Sequence, residues 1–220
     1  AGDVQLSASA PVTMTASLVT DPSITFDGKL YGSNALALNG NVVFNDRVGW
    51  IDDTTPSPLT SLTVAGTTAA NGGFIRTSGD QTYIGLVTLG ADTTMTGTDG
   101  NFPGGVDGTV ANHDLTLNFS GATEIDGTNF VNIGDLTTGA GGTTFLSGTI
   151  ETAGAQSYLD AVRLIGPTTL LPGVDSDVTF GGTLNSDTAT LRNLTITTTG
   201  TATVTFEGEV GLIHPVDNLV

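Results

Sequence analysis

Apolar and polar positions alternate along this chain in short bursts, and each burst ends at Gly, Asn or Asp. Leu62-Thr63-Val64, Val87-Thr88-Leu89 and Val162-Arg163-Leu164 each carry an apolar side chain at both ends of a triplet. Side chains two residues apart share one face of a β-strand, so each triplet predicts a short, half-buried strand. β-Branched Thr, Val and Ile dominate these bursts, while Leu, Lys, Glu and Arg do not recur at helical spacing. The pattern predicts an all-β fold with no helix longer than one turn.

The bursts themselves recur. Residues 77–89 read TSGDQTYIGLVTL and residues 152–164 read TAGAQSYLDAVRL. Thr77, Gly79, Gln81, Tyr83, Val87 and Leu89 return 75 positions later, and so do Ile75 as Ile150 and Thr93-Thr94-Met95 as Thr168-Thr169-Leu170. Val4-Gln5-Leu6 and Pro11-Val12-Thr13-Met14 match the last two of these strands near the start of the chain. An F-x-G-x-[LV] motif occurs at Phe26-Asp27-Gly28-Lys29-Leu30, Phe102-Pro103-Gly104-Gly105-Val106 and Phe180-Gly181-Gly182-Thr183-Leu184. Its glycine predicts a bend or bulge that rejects a Cβ, and Pro103 places the middle copy at an edge or in a loop. A second aromatic strand recurs at Val42-Val43-Phe44, Leu117-Asn118-Phe119 and Val204-Thr205-Phe206. Val48-Gly49-Trp50-Ile51 and Val210-Gly211-Leu212-Ile213 follow two of them.

These landmarks divide the chain into imperfect units of 75–87 residues: 1–83, 84–158 and a truncated 159–220. The chain begins just after one Q-x-Y position and stops before the next, so both ends read as cut from a longer array. Each unit holds three or four strand–turn rungs of about 20–25 residues. Rungs that bury their apolar faces only against their neighbours make a solenoid. The expected fold is therefore a parallel β-helix (β-solenoid), continuous through the units. Phe26, Phe44, Phe119, Phe180, Phe206, Tyr83, Tyr158, Val87 and Val162 are predicted to point inward, and Thr82, Thr88 and Arg163 outward. The alternative is a tandem of β-sandwich (Ig-like) units. Against it, the chain has no Cys, no clear linker, and a lone Trp50 whose counterpart is Leu212.

The combination T-x-G-x-Q-x-Y-x-x-x-V-x-L, then TTM or TTL, then F-x-G-x-L and V-G resembles the β-strand repeats of large secreted bacterial proteins. These are the filamentous-haemagglutinin-like adhesins and autotransporter-type passenger regions, and the resemblance covers nearly the whole chain. It implies an extracellular β-helical segment at the bacterial cell surface. It transfers no catalytic residue. The second unit departs from the pattern at Pro103 and at Thr123-Glu124.

Charge narrows the partners. Twenty-two acidic residues stand against five basic ones, for a formal net charge of −17. Such a chain repels phosphate backbones and anionic membrane surfaces. Cys is absent, which removes disulfides, thiolate nucleophiles and Cys-ligated zinc. No apolar run is long enough for a membrane-spanning helix, and no secretory signal opens the sequence.

Candidate chemistry is thin. Asp52-Asp53 lies in the Pro-rich loop of residues 52–58, DDTTPSP, which reads as solvated. Lys29, Arg47, Arg76, Arg163 and Arg192 are scattered, so they do not outline an anionic-sugar cleft. Asp99-Gly100-Asn101 and Asp175-Ser176-Asp177 read as acidic turns, far short of the oxygens a calcium ion needs. His113 and His214 match no metal spacing. Asn118 and Asn193 satisfy the glycosylation pattern but fall on predicted strands. Gln81 and Gln156 read as corner residues that satisfy backbone groups rather than a ligand.

The expected function is a non-enzymatic structural repeat module, part of the rod or fibre of a secreted bacterial adhesin or filament, with no cofactor and no metal. The expected partners are neighbouring repeats of the same polypeptide or further copies end to end, with a surface glycan or receptor as a further candidate, no nucleic acid and no membrane insertion by this segment. The alternative functions are a glycan- or receptor-binding module acting through exposed loops, and third a polysaccharide-degrading β-helix enzyme.

Overall fold

A computed structural model describes residues 2–6, 12–15, 23–188 and 190–220, with the backbone alone for Val12–Thr15. Pro11 of the first predicted landmark lies outside the described residues. The described chain is all-β, without helix, and its parallel strands stack as a β-solenoid of about nine turns. The turns divide between two compact units, Ala1–Val106 and Asp107–Val220.

In the first unit the chain visits three sheets in rotation. Ala35–Asn39, Ser61–Val64, Gln81–Tyr83 and Gly100–Asn101 pair in one, and Ser23–Phe26, Asn41–Phe44, Thr68–Ala70 and Val87–Leu89 in the second. Phe74–Arg76 and Thr93–Gly97 pair in the third. Partners lie 18 residues apart at Ser23↔Asn41, 19 at Leu62↔Gln81 and 26 at Ala35↔Ser61. The predicted rung length falls inside this range; the extra residues go into loops between strands, where they do not disturb register.

The second unit coils likewise. Leu115–Phe119, Leu136–Gly139, Gln156–Tyr158, Val178–Phe180 and Val204–Phe206 form one sheet. Thr143–Glu151 and Ala161–Leu171 are longer and run through two adjoining stretches of pairing, with a register shift between Leu146 and Gly148. Gly148 takes a φ of +72° there, a backbone state that a side chain resists.

In-register parallel pairing puts like beside like in the interior. Leu38, Val64 and Tyr83 are successive partners, and all three are fully buried. Phe26 stacks on Phe44 with ring centroids 5.6 Å apart; Tyr158 stacks on Phe180 at 5.3 Å, and Phe180 on Phe206 at 4.9 Å. Of the predicted inward residues, all but Phe206 are buried. Phe206 is half-buried because its strand, at the edge of its sheet, is covered on one side only.

Two sequence expectations change. Phe26 and Phe44, read as separate landmarks within one unit, are direct partners on successive turns, and so are Phe180 and Phe206. Phe44 and Phe119 are not equivalent: Phe44 shares a sheet with Val87, whereas Phe119 shares one with Tyr158. Similar strand chemistry suits every sheet of a solenoid, so motif spacing alone does not assign the sheet. Pro103 does keep its segment out of the strands, and Phe102 sits in the turn it makes.

One corner of the first unit is a seam of glycines. A Cβ added at Gly66 would strike the backbone at Gly40 and Asn41, one at Gly85 would strike Gly66, and one at Gly104 would strike Gly85. Gly28 and Gly182 of the F-x-G-x-L motif are pressed in the same way, against Gly2 and Asp160. The motif's glycine thus allows one turn to approach the backbone of the preceding turn.

Candidate functional site

The repeated polar residues form closed internal corners. Gln81 is fully buried; its Nε2 donates to the carbonyls of Ile75 (3.3 Å) and Thr96 (2.9 Å) and to Thr77 Oγ1 (3.2 Å). Its Oε1 accepts the Tyr83 hydroxyl at 2.8 Å. Gln156 repeats this with the Ile150 carbonyl (3.0 Å), Thr152 Oγ1 (3.1 Å) and the Tyr158 hydroxyl (3.0 Å). Thr77 and Thr152 donate to the carbonyls of Gly79 and Gly154 at 2.7 and 2.8 Å. Burial pushes both tyrosine hydroxyls far above the ordinary phenol range, so they remain proton donors. These groups are spent on the fold, as the sequence predicted.

The surface chemistry of the first unit gathers elsewhere. Leu30, Val48 and Ile75 are bridge partners on successive turns, which aligns the preceding residues Lys29, Arg47 and Phe74. The Arg47 guanidinium lies 4.3 Å from the centre of the Phe74 ring and 5.6 Å from that of Trp50. The Arg76 guanidinium lies 5.7 Å from the Trp50 centre, and the Trp50 and Phe74 rings meet edge to face at 6.2 Å. Two of the five basic residues, Arg47 and Arg76, therefore converge on the only Trp, and Lys29 stands in register with Arg47 on the preceding turn. This corrects the reading that they are scattered; Lys29, Arg47 and Arg76 are remote in sequence and adjacent across turns.

A small excursion rises from this cluster. Gly49, at φ +84°, turns the chain into it, Trp50 bridges Pro56 antiparallel, and Ser57 donates to the Gly49 carbonyl at 2.8 Å. Asp52 holds its tip together. Its carboxylate accepts the Thr54 amide and hydroxyl at 2.8 and 2.9 Å, and the Thr55 amide and hydroxyl at 2.7 and 3.0 Å. Those bonds pull its pKa down to about 2. Asp53 pairs with Lys29 at 3.5 Å, and Lys29 also reaches Asp46 at 3.6 Å. Asp52 and Asp53 thus serve different structural ends and do not act as a carboxylate pair.

Among the described residues, neither Arg47 nor Arg76 is in an ion pair with a carboxylate. Arg47 reaches only a main-chain oxygen, that of Asp53, at 3.2 Å. The indole Nε1 of Trp50 is buried without a hydrogen-bond partner.

The remaining candidates do not converge. Asp99 immediately precedes the Gly100–Asn101 strand rather than standing in a turn, because its carbonyl accepts the Gln81 amide in the pairing of successive coils. Asp175 and Asp177 accept the amides of Thr201 and Thr203, each at 2.7 Å and 26 residues ahead, so they fasten one turn to the next. His113 and His214 lie in separate loops, and no group of three metal-ligating side chains occurs among the described residues. Asn118 and Asn193 are in strands, half-buried and exposed respectively. Arg163 and Arg192 stand on strands of the second unit, where Arg192 pairs with Asp187 at 3.2 Å.

The second unit holds a groove of about 560 Å³ that the sequence did not flag, lined by Asn112, Phe130, Val131, Asn132, Glu151 and Thr152 among others. Asn112 and Asn132 are both left-handed there, at φ 52° and 54°. A cluster of turn residues near Asn112 was the only signal available. Among the described residues no helix is long and apolar enough to cross a membrane.

Comparison with known proteins finds no matching family model, no matching curated protein and no matching solved structure.

Proposed function

We propose that this chain is a non-enzymatic structural repeat module of a secreted bacterial cell-surface protein, of the adhesin or filament kind. Its task is mechanical: stacked coils space out whatever the surface loops carry. The observation that supports this reading is the fate of the repeated polar residues. Gln81 and Gln156, the most conspicuous polar repeats, are wholly buried and bonded to backbone and neighbouring side chains. A chain that devotes its repeated chemistry to its own corners is organised as a scaffold. Its partners in this role are neighbouring repeats of the same polypeptide or further copies of it.

Two measurements test the proposal. Antibodies raised against the chain should label intact cells of the source bacterium, and the purified protein should release neither reducing ends nor unsaturated products from a panel of acidic polysaccharides. Labelling confined to lysed cells would remove the surface assignment. Catalytic turnover of any polysaccharide would replace the scaffold with the enzyme reading.

A further inference from the structure

Going beyond the scaffold role, we infer that the Arg47–Trp50–Arg76 cluster of the first unit is a binding site for a carboxylate-bearing saccharide. The chain has 22 acidic residues and five basic ones, so an arginine without a carboxylate partner is conspicuous. Two such arginines meet here on one Trp, at 5.6 and 5.7 Å. A guanidinium stacked on a ring keeps its N–H edges in its own plane, where they fit a planar carboxylate with two parallel hydrogen bonds.

The nearby acids are already engaged. Asp52 is saturated by Thr54 and Thr55, while Asp46 and Asp53 share Lys29. The cluster is thus locally close to balance within a chain of net charge −17, and the two guanidinium groups remain for a carboxylate from outside.

A saccharide suits the surroundings better than an acidic peptide. Trp50 and Phe74 are both half-buried, and ring faces and edges of this kind pack against the C–H face of a sugar. A uronate carries a single charge per ring among neutral hydroxyls. A polyanionic peptide brings a denser charge against the acidic surface, which opposes its approach. The buried, unpartnered indole N–H of Trp50 marks the same corner as unsaturated.

Trp50 is the only Trp, so fluorescence excited selectively at the indole, beyond the absorption of the three Tyr, reports this site. The test titrates the full chain with trigalacturonate, with neutral maltotriose and with triglutamate at one ionic strength. Trigalacturonate should give a saturable change in Trp50 emission, with little response to the other two. Arg76→Gln and Arg47→Gln should each weaken it about tenfold, the scale of one lost charge-assisted hydrogen bond. Arg163→Gln, in the second unit, should leave it unchanged. Circular dichroism melts confirm that the variants fold; Arg76→Gln is the deciding one should Arg47→Gln disturb the Phe74 stack.

A flat titration by both fluorescence and calorimetry overturns the inference. So does an equal response to maltotriose, or undiminished binding by folded Arg76→Gln. Triglutamate binding as tightly as trigalacturonate overturns the saccharide assignment in favour of acidic peptides. None of these outcomes bears on the cell-labelling and turnover measurements that test the scaffold role.

Discussion

The corner at residues 77–83 and its counterpart at residues 152–158 are built alike and supported differently. Both bury a Gln that receives a Tyr hydroxyl, at 2.8 and 3.0 Å, and that donates to a Thr four residues earlier, across the bend, at 3.2 and 3.1 Å. Yet Tyr83 stacks at 5.4 Å on Phe102, which stands in the Pro103 turn, whereas Tyr158 stacks on Phe180 of a regular strand. The first corner also gains a bond from Gln81 to the Thr96 carbonyl at 2.9 Å. The difference teaches that the motif closes on itself. Its hydrogen bonds come mainly from its own few residues, so it tolerates different neighbours above and below.

The largest effect expected is from removing the ring at either corner. Tyr83→Ala and Tyr158→Ala should each cost about 3–5 kcal/mol, as for a large buried aromatic. Because Trp50 belongs to the first unit, Tyr83→Ala should lower the Trp-detected melting transition more than Tyr158→Ala does. Equal shifts would show that the corners are not local in their effect.

A middle-sized effect separates the hydrogen bonds from the ring. Gln81→Ala and Gln156→Ala strand a buried Tyr hydroxyl and a carbonyl, at about 1–3 kcal/mol each. The cost should be larger at Gln81, which has the additional Thr96 contact; denaturant midpoints for the two variants check the order. Phe206→Ala, at a half-buried position, should cost less than Phe180→Ala, whose ring is fully buried between Tyr158 and Phe206.

The smallest effect is a contrast in pH dependence between two aspartates of the second unit. Asp160 is 3% exposed, and burial raises its pKa despite the amides of Gly141 and Gly142 at 2.8 and 3.0 Å. Its stabilising contribution is full below the ordinary aspartate value near 3.8 and is lost as pH rises through the raised value. Asp177 is the reverse: the Thr203 amide and hydroxyl lower its pKa, so its contribution is present above 3.8 and lost as pH falls through the lowered value. Melting curves across pH 2–7 (about the span these groups titrate in) should show Asp177→Asn flattening the acid limb. Asp160→Asn should instead reduce the loss on the rising limb.

Much of the fold was legible because alternation is local. Val87, Leu89, Val162 and Leu164 follow the two-residue period, and each is buried. The Gln corners were legible because the whole frame around them repeats. The glycine of F-x-G-x-L was legible as a position that rejects a Cβ, and Gly28 and Gly182 press against the backbone at Gly2 and Asp160. What could not be read was register between turns. Lys29 and Arg47 sit 18 residues apart, and Arg47 and Phe74 sit 27 apart, because one loop holds the excursion at Trp50. No fixed period connects them, so the basic–aromatic cluster exists only once the coils are stacked. The same missing register led Phe26 and Phe44 to be read as different strands of one unit when they are partners on successive turns.

The glycine seam makes each coil both guest and host. Gly85 nests into the backbone at Gly66, and Gly104 nests in turn onto Gly85. A coil copied or moved into such a stack must therefore bring its own glycine to be admitted, and the coil that follows must fit the space it leaves. Lengthening is licensed in the loops and refused at the seam. Heritable change in this molecule has an addressed grammar: whole coils and loop tips are the words it can exchange, and the corner glycine is the letter that must be spelled the same each time.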